Sequence, residues 1–219
     1  MLKYEPYPRL MHNLSAMALG GGTGAGIDPF INNKQVVFMG DSTFFHGGMS
    51  AISDSIKNGQ DIAYVILDNK TTAMTGHQPT PSTGEDILGN PTFAQDIEKI
   101  AEGLAVDSDI LIVRTDPENR FEYKKFLEES ILKPGVKIII ADKECGITYH
   151  RRMRREQQQT VKEQGFLKTE KHINITEEVC EFCLECTKAT GCPGLKTIET
   201  DYGPKIGIDQ SNCVSDGAC

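Results

Sequence analysis

Residues 35–71 read QVVFMGDSTFFHGGMSAISDSIKNGQDIAYVILDNKT, and two features of that stretch decide the fold. The runs at 35–39 (QVVFM) and 62–67 (IAYVIL) are continuously apolar, as strands buried on both faces are. Each run stops at polar residues, Gly40-Asp41-Ser42 after the first and Asp68-Asn69-Lys70-Thr71 after the second. The 26 residues from Ser42 to Asp68 suit one crossover with a helix at 48–58, so the strands pair in parallel and their tips lie side by side. Downstream the alternation continues, with strands at 110–113 (ILIV) and 136–140 (VKIII) and helical patterns at 93–104 and 118–132. The fold class is therefore α/β, a parallel sheet flanked by helices, with no internal repeat.

The two tips are chemically specific. A glycine admits phosphate close to the backbone, and a carboxylate beside an amide oxygen from the neighbouring strand makes a hard oxygen site for Mg²⁺ bridging a diphosphate. Gly-Asp-Ser by itself is more often a turn; Asn69 at this distance gives it meaning. Residues 70–90 then break the pattern, holding Thr71, Thr72, Thr75, Gly76, Pro79, Pro81 and Gly84 with almost no apolar periodicity. A loop of this length at the strand-end edge of a parallel sheet reads as functional.

Composition narrows the rest. The chain has 219 residues, a formal charge of −8 from 31 acids against 23 Lys and Arg, 38% hydrophobic residues, no Trp and seven Cys. That length allows one large domain, or a medium domain with a small module. The acidic balance excludes nucleic acid as the main partner, and no run is apolar enough for a signal peptide or a membrane span. A soluble, cytoplasmic protein is expected.

Cys145 stands alone, whereas Cys180, Cys183, Cys186, Cys192, Cys213 and Cys219 crowd the last 40 residues. In a chain with no export signal this density points to metal or cluster binding rather than disulfides. Cys180, Cys183 and Cys186 are spaced three apart, and Cys192 precedes Pro193, as in bacterial-type iron–sulfur ferredoxins. Structural zinc, the rival, usually takes two separated C-x2-C pairs, and a third Cys in register would be surplus. By ferredoxin logic Cys180, Cys183 and Cys186 serve one centre and Cys192, Cys213 and Cys219 another, each one ligand short. Either one cluster takes four of the six, or the chain is a piece of a longer one, cut inside its electron-transfer module; the second is the expectation.

Three regions follow: a diphosphate- and Mg²⁺-binding domain at 1–148, a helical connector at 149–175 and an iron–sulfur module at 176–219. The connector's Arg151, Arg152, Arg154 and Arg155 read as a solvated or domain-bridging helix face. From Thr176 on, Glu177, Glu178, Glu181, Glu185, Glu199, Asp201, Asp209 and Asp216 face only Lys188, Lys196 and Lys205, which places −5 of the −8 there. Gly20, Gly22 and Ala25 match a dinucleotide fingerprint, but that motif must follow a strand, and residues 12–19 look helical.

The stretch GDSTFFHGGMSAISDSIKNGQDIAYVILDNKTTAMTGHQPTP at 40–81, coupled to CEFCLECTKATGCPG at 180–194, resembles the 2-oxoacid:ferredoxin oxidoreductases. It is similar to the C-terminal part of the large subunit of the indolepyruvate-type members, over residues 9–219. The resemblance implies thiamine diphosphate as cofactor. It places Asp41, Asn69 and the Thr71 carbonyl on Mg²⁺, Gly40, Ser42 and Thr43 on the diphosphate, and Thr72, Met74 and Thr75 over the cofactor. Residues 13–17 with Gly20 to Gly26 would approach the cofactor rings, and His46 and His77 would be catalytic groups or structural hydrogen-bonders. Phe44, Phe45 and Met74 would wall an aryl pyruvate pocket or belong to the core. The implied reaction is oxidative decarboxylation of a 2-oxoacid to an acyl-CoA, with coenzyme A as acceptor and electrons passing through one or two [4Fe-4S] clusters to ferredoxin. No residue matches the activating glutamate of the pyrimidine-binding domain, so that domain, and a second subunit, are implied partners. The alternative is a non-catalytic electron carrier with an α/β scaffold.

Overall fold

In the computed structural model, which describes residues 11–167, 172–215, 217 and 219, the four apolar runs form one parallel sheet. Its strands are β1 (Gln35–Gly40), β2 (Ile62–Asp68), β3 (Leu111–Thr115) and β4 (Lys137–Asp142), in the order β1-β2-β4-β3. Register puts Gly40 opposite Leu67 and Asp68 opposite Asp142, so three strand ends are level at one edge. The start of the expected first domain, residues 168–171 of the expected connector and Asp216 lie outside the described residues.

Burial on both faces holds only for the inner strands. Ala63, Val65, Ile139 and Ala141 are buried on one face of β2 and β4, and Ile62, Tyr64, Ile66, Ile138 and Ile140 on the other. Strand β1 lies at an edge and alternates, burying Val37 and Met39 while Val36 and Phe38 are exposed. The core face is covered by α1 (Leu19–Ile27), α2 (Met49–Lys57) and α3 (Ile97–Leu104), with α4 (Arg120–Ile131) leading into β4. Ile97, Ile100, Ala101 and Leu104 recur at helical spacing on the core side of α3.

Two helix boundaries depart from the sequence expectation. Helix α3 begins at Ile97 rather than 93, because Asp96 caps it, accepting from the Glu98 N–H at 2.9 Å. The residues before it close the preceding loop instead, through Gln95 N–H to Pro81 O and Thr92 N–H to Gly84 O. Of residues 12–19 only the last is helical: Ala18 is left-handed (φ 71°) and α1 starts only at Leu19. Here the chain crosses Gly47 so closely that a Cβ there would lie 2.5 Å from the Ala18 Cβ. No strand precedes α1 among the described residues, so the dinucleotide fingerprint still lacks its context.

The chain divides into a unit at Asn13–Cys145 and a second that takes in Gly146–Cys219. The second opens with α5 (Gly146–Gln164), a polar helix on which Arg151, Arg152, Arg154 and Arg155 are all exposed and Arg152 pairs with Glu156 at 3.3 Å. It continues through α6 (Glu185–Thr190) to an antiparallel hairpin of β5 (Leu195–Thr200) and β6 (Gly203–Ile208).

Candidate cofactor and cluster sites

At the carboxyl edge of the sheet, β1 passes through Gly40 into a helical turn, Asp41–Thr43, followed by a π-helical turn, Phe44–Gly48. Asp41 is buried at the base of that turn. Its Oδ1 accepts from the Ser42 N–H (2.7 Å), and its Oδ2 from the Thr71 N–H (3.1 Å) and the Ser82 hydroxyl (3.3 Å). The Asn69 Oδ1 accepts from the same Thr71 N–H, also at 3.1 Å. A carboxylate from one strand tip and an amide oxygen from the next thus converge on a single backbone group. Lys70, left-handed at φ 62°, closes the turn between Asn69 and Thr71.

The donor chemistry fits Mg²⁺ with a diphosphate. Among the described residues no three His, Cys, Asp or Glu side chains stand close enough to share an ion. Mg²⁺ characteristically uses one or two carboxylates and completes its shell with phosphate oxygens and water, as Asp41, Asn69 and the Thr71 carbonyl would require. A Cβ at Gly40 would meet nothing within 4 Å, so the backbone there is open to a ligand. Burial pushes the Asp41 carboxyl above the usual range; the charge of Asp68 adds to this, and bonds from Ser42, Ser82 and Thr71 oppose it. Asp68 itself has a buried Oδ1 with no hydrogen-bond partner among the described residues.

The remaining expected residues lie around this centre. Ser42 is buried and Thr43 half-buried in the first turn. Thr72 donates its N–H to Gln78 O and accepts the His77 N–H at its own carbonyl, which folds residues 72–78 into a tight loop. Thr75 donates its hydroxyl to Gln78 Oε1 at 2.7 Å, and Met74 at the loop's tip is almost wholly exposed. Phe44 is core, edge-on to Phe45 at 5.3 Å, and so is not a pocket wall. His46 Nδ1 lies 2.6 Å from the Ser42 carbonyl, so that nitrogen is the donor in this contact. His77 holds its Nδ1 4.0 Å from the Cys145 thiol.

Within Gly20 to Gly26, two of the glycines act differently from expectation. Gly21 and Gly24 are buried against the sheet, where a Cβ would lie 2.6 Å from Ala51 Cβ and 3.1 Å from Val37 Cγ2 respectively. These glycines bring α1 close to its neighbours, which is packing rather than cofactor approach.

Sequence reading missed Ser82, which donates to Asp41, and its buried neighbour Thr80. It also missed Arg114, whose guanidinium reaches Asp68, Asp96, Glu98 and Asp142. The one available signal for Arg114 is a charge closing an otherwise apolar strand.

In the second unit all the cysteines are free thiols. The Cys180 Sγ accepts the Ile206 N–H (3.3 Å), Cys192 the Gly194 N–H (3.4 Å) and Cys213 the Ser215 N–H (3.4 Å). Backbone bonds from Ile206 and Phe182, with the Lys205 charge, hold the Cys180 thiol below its usual value. Phe182 and Leu184, on either side of Cys183, are both left-handed (φ 54° and 63°). Non-glycine residues in that conformation are strained, and turns of this kind aim N–H groups inward, as around iron–sulfur clusters. N–H donors on sulfur and a strained cysteine loop fit a cluster. Burial, then the nearby Cys192, Cys213 and Cys186, push the Cys219 thiol up, while among the described residues no three of these sulfurs are close enough to share one ion.

Residues 3–141 match the family model "Thiamine pyrophosphate enzyme, C-terminal TPP binding domain". The chain is 36% identical over 203 residues to indolepyruvate oxidoreductase subunit IorA of Archaeoglobus fulgidus, covering 93% of this chain and 30% of that protein. It is 34% identical over 214 residues to IorA of Pyrococcus abyssi, covering 95% and 30%. It thus spans about a third of the length of the curated relatives it matches. Among solved structures it is similar in fold to 2-oxoglutarate:ferredoxin oxidoreductase from Magnetococcus marinus with 2-oxoglutarate, coenzyme A and succinyl-CoA bound. That likeness has a TM-score of 0.54 at 13% identity, over 62% of this chain and 50% of the other.

Proposed function

This chain belongs to the thiamine pyrophosphate enzymes through its C-terminal TPP binding domain, and we propose that it serves oxidative decarboxylation of a 2-oxoacid, with indolepyruvate or another aryl pyruvate as substrate. The observation that carries the reading is the convergence of the Asp41 and Asn69 oxygens at the sheet edge, in a chain that also holds six clustered cysteines.

Asp41, Asn69 and the Thr71 carbonyl hold Mg²⁺. Gly40, Ser42 and Thr43 line the diphosphate, and Thr72, Met74 and Thr75 cover the cofactor from the loop. Thiamine diphosphate, when bound, supplies the carbanion chemistry that releases CO₂ from a 2-oxoacid. Ser82 keeps Asp41 oriented toward the cation. His46, whose Nδ1 is held by the Ser42 carbonyl, and His77, held at Cys145, are the groups that hold or move a proton near the substrate. The reaction balances as 2-oxoacid and coenzyme A giving acyl-CoA, CO₂, a proton and two electrons. Cys180, Cys183, Cys186, Cys192, Cys213 and Cys219 would hold one or two [4Fe-4S] clusters, which would supply one-electron transfer toward ferredoxin. A pyrimidine-binding domain and a second subunit complete the enzyme.

Calorimetric titration of the chain with thiamine diphosphate and Mg²⁺ tests the cofactor site. Asp41→Ala and Asn69→Ala should each abolish Mg²⁺-dependent binding, and affinity unchanged in both would leave an electron carrier on an α/β scaffold. Iron and acid-labile sulfide after anaerobic reconstitution test the module, with about four irons expected for one cluster and about eight for two. Because a glutamate from elsewhere is needed, the chain by itself should not reduce dye with any 2-oxoacid; turnover would overturn that requirement.

A further inference from the structure

We propose that Arg114 is a positioning residue for the cation-binding turn, acting through Asp68, and that the site needs the fork of its guanidinium rather than its charge. This assignment rests on the reading of Asp41, Asn69 and Thr71 as cation ligands.

Arg114 stands near the end of β3, two strands away from β2 in the sheet. Its Nη1 donates to Asp142 at the end of β4 (2.7 Å) and to Asp68 at the end of β2 (3.0 Å). Its Nε donates to Glu98 (2.9 Å) and its Nη2 to Asp96 (2.8 Å), at the start of α3. One side chain therefore ties two strand ends to a helix cap across the whole edge. Four carboxylates at three separate donors demand a planar fork, and an ammonium is a single point that cannot serve all of them.

Asp68 is the link to the cation. It is buried, its Oδ2 is taken by Arg114 and Lys70, and it immediately precedes Asn69 in the chain. Asp68 and Asp142 are register partners, so their charges sit side by side and repel unless Arg114 and Lys70 bridge them. Lys70 is also the left-handed residue on which the Asn69–Thr71 turn depends. Without Arg114, Lys70 would be left to neutralise both carboxylates while holding that turn, and the turn would lose its fixed register against Asp41.

Charge alone predicts the opposite outcome. Four carboxylates (Asp68, Asp96, Glu98 and Asp142) surround Arg114 and Lys70 here, and Asp68 in turn acts on Asp41, so deleting a positive charge would draw a divalent cation more strongly. Positioning predicts weaker binding, by about tenfold or more, the scale on which partners behind metal ligands act.

The test is Mn²⁺ titration followed by electron paramagnetic resonance, with thiamine diphosphate present, on the full chain as wild type, Arg114→Lys and Arg114→Met. Both variants should bind Mn²⁺ about tenfold or more weakly while circular dichroism is retained. Adding Asp68→Asn to Arg114→Met should recover part of the loss, because the stranded carboxylate is gone. Should Arg114→Met not fold, Arg114→Lys decides, since it keeps the charge and loses only the fork. Unchanged or tighter Mn²⁺ binding overturns the proposal, as does a fall in stability with affinity unmoved. A double variant as weak as Arg114→Met overturns the route through Asp68. Wild type that binds no Mn²⁺ refutes the cation-site reading and this inference with it, whereas normal wild-type binding with unaffected variants refutes the inference alone.

Discussion

Gly21 and Gly22 are adjacent in α1 and differ only in what surrounds them. A Cβ on Gly21 would lie 2.6 Å from Ala51 Cβ and 3.3 Å from Tyr64 Cε1, whereas one on Gly22 would meet nothing within 4 Å. Neither obstacle can yield easily. Ala51 has no flexible end, and Tyr64 is fully buried with its hydroxyl 2.7 Å from Ser55 Oγ. Replacing either glycine by alanine gains about 0.8–1 kcal/mol of helix propensity, and that gain cancels when the two variants are compared. Gly21→Ala also carries an overpacking cost of about 1–3 kcal/mol. Gly22→Ala should therefore stabilise by up to about 1 kcal/mol, and Gly21→Ala should fall about 1–3 kcal/mol below it. Urea unfolding followed by circular dichroism measures both, with thiamine diphosphate titrations in parallel. Equal changes in stability would refute the packing argument. A loss of cofactor affinity confined to Gly22→Ala would instead return these glycines to the wall of the cofactor site.

At the opposite end of the sheet Lys137 is buried with its ammonium on Asp61 and Lys133 O, while Asp61 is more exposed and also pairs with Lys34. Asp61→Ala should cost about 3–5 kcal/mol, because it strands a buried ammonium, whereas Lys137→Met leaves Asp61 with Lys34 and should cost about 1 kcal/mol; equal losses in urea unfolding would refute this asymmetry. Burial would raise the Asp61 carboxyl, but Lys137 and Lys34 outweigh it and hold the group below its usual value. Its contribution is accordingly present above the unfolded-state value of about 3.9 and is lost as pH falls through the lower folded value. The stability gap between wild type and Asp61→Asn should be flat from about pH 7 to 5 and close below about pH 4, and a gap that widens in acid would reverse the assigned sign.

What could be read from the sequence is what a single βαβ unit carries. The four strands are legible because long apolar runs have few other uses, and Asp41 and Asn69 are legible because a parallel crossover fixes the distance between adjacent strand tips. Strand order is not, since β4 inserts between β2 and β3 through pairings that no local pattern encodes. The same limit separates the proposed cation ligands from the groups that hold them. Asp41, Asn69 and Thr71 stand on neighbouring tips, whereas Arg114 comes from the far edge, and Ser82 from a loop without periodicity, marked by threonines, glycines and prolines that do not single it out. Glycine misleads for a different reason. A missing Cβ looks alike in sequence whether a cofactor, a helix or nothing fills the space, and in α1 the buried positions are filled by Ala51, Tyr64 and Val37. The cysteines fall between these cases: their spacing marks a loop of the kind expected to hold a cluster, but which thiols stand together depends on the β5–β6 hairpin that lies between Cys192 and Cys213. Spacing reports the ligands a local unit presents, and the remainder of a site is set by whichever distant strand or turn the fold brings against them.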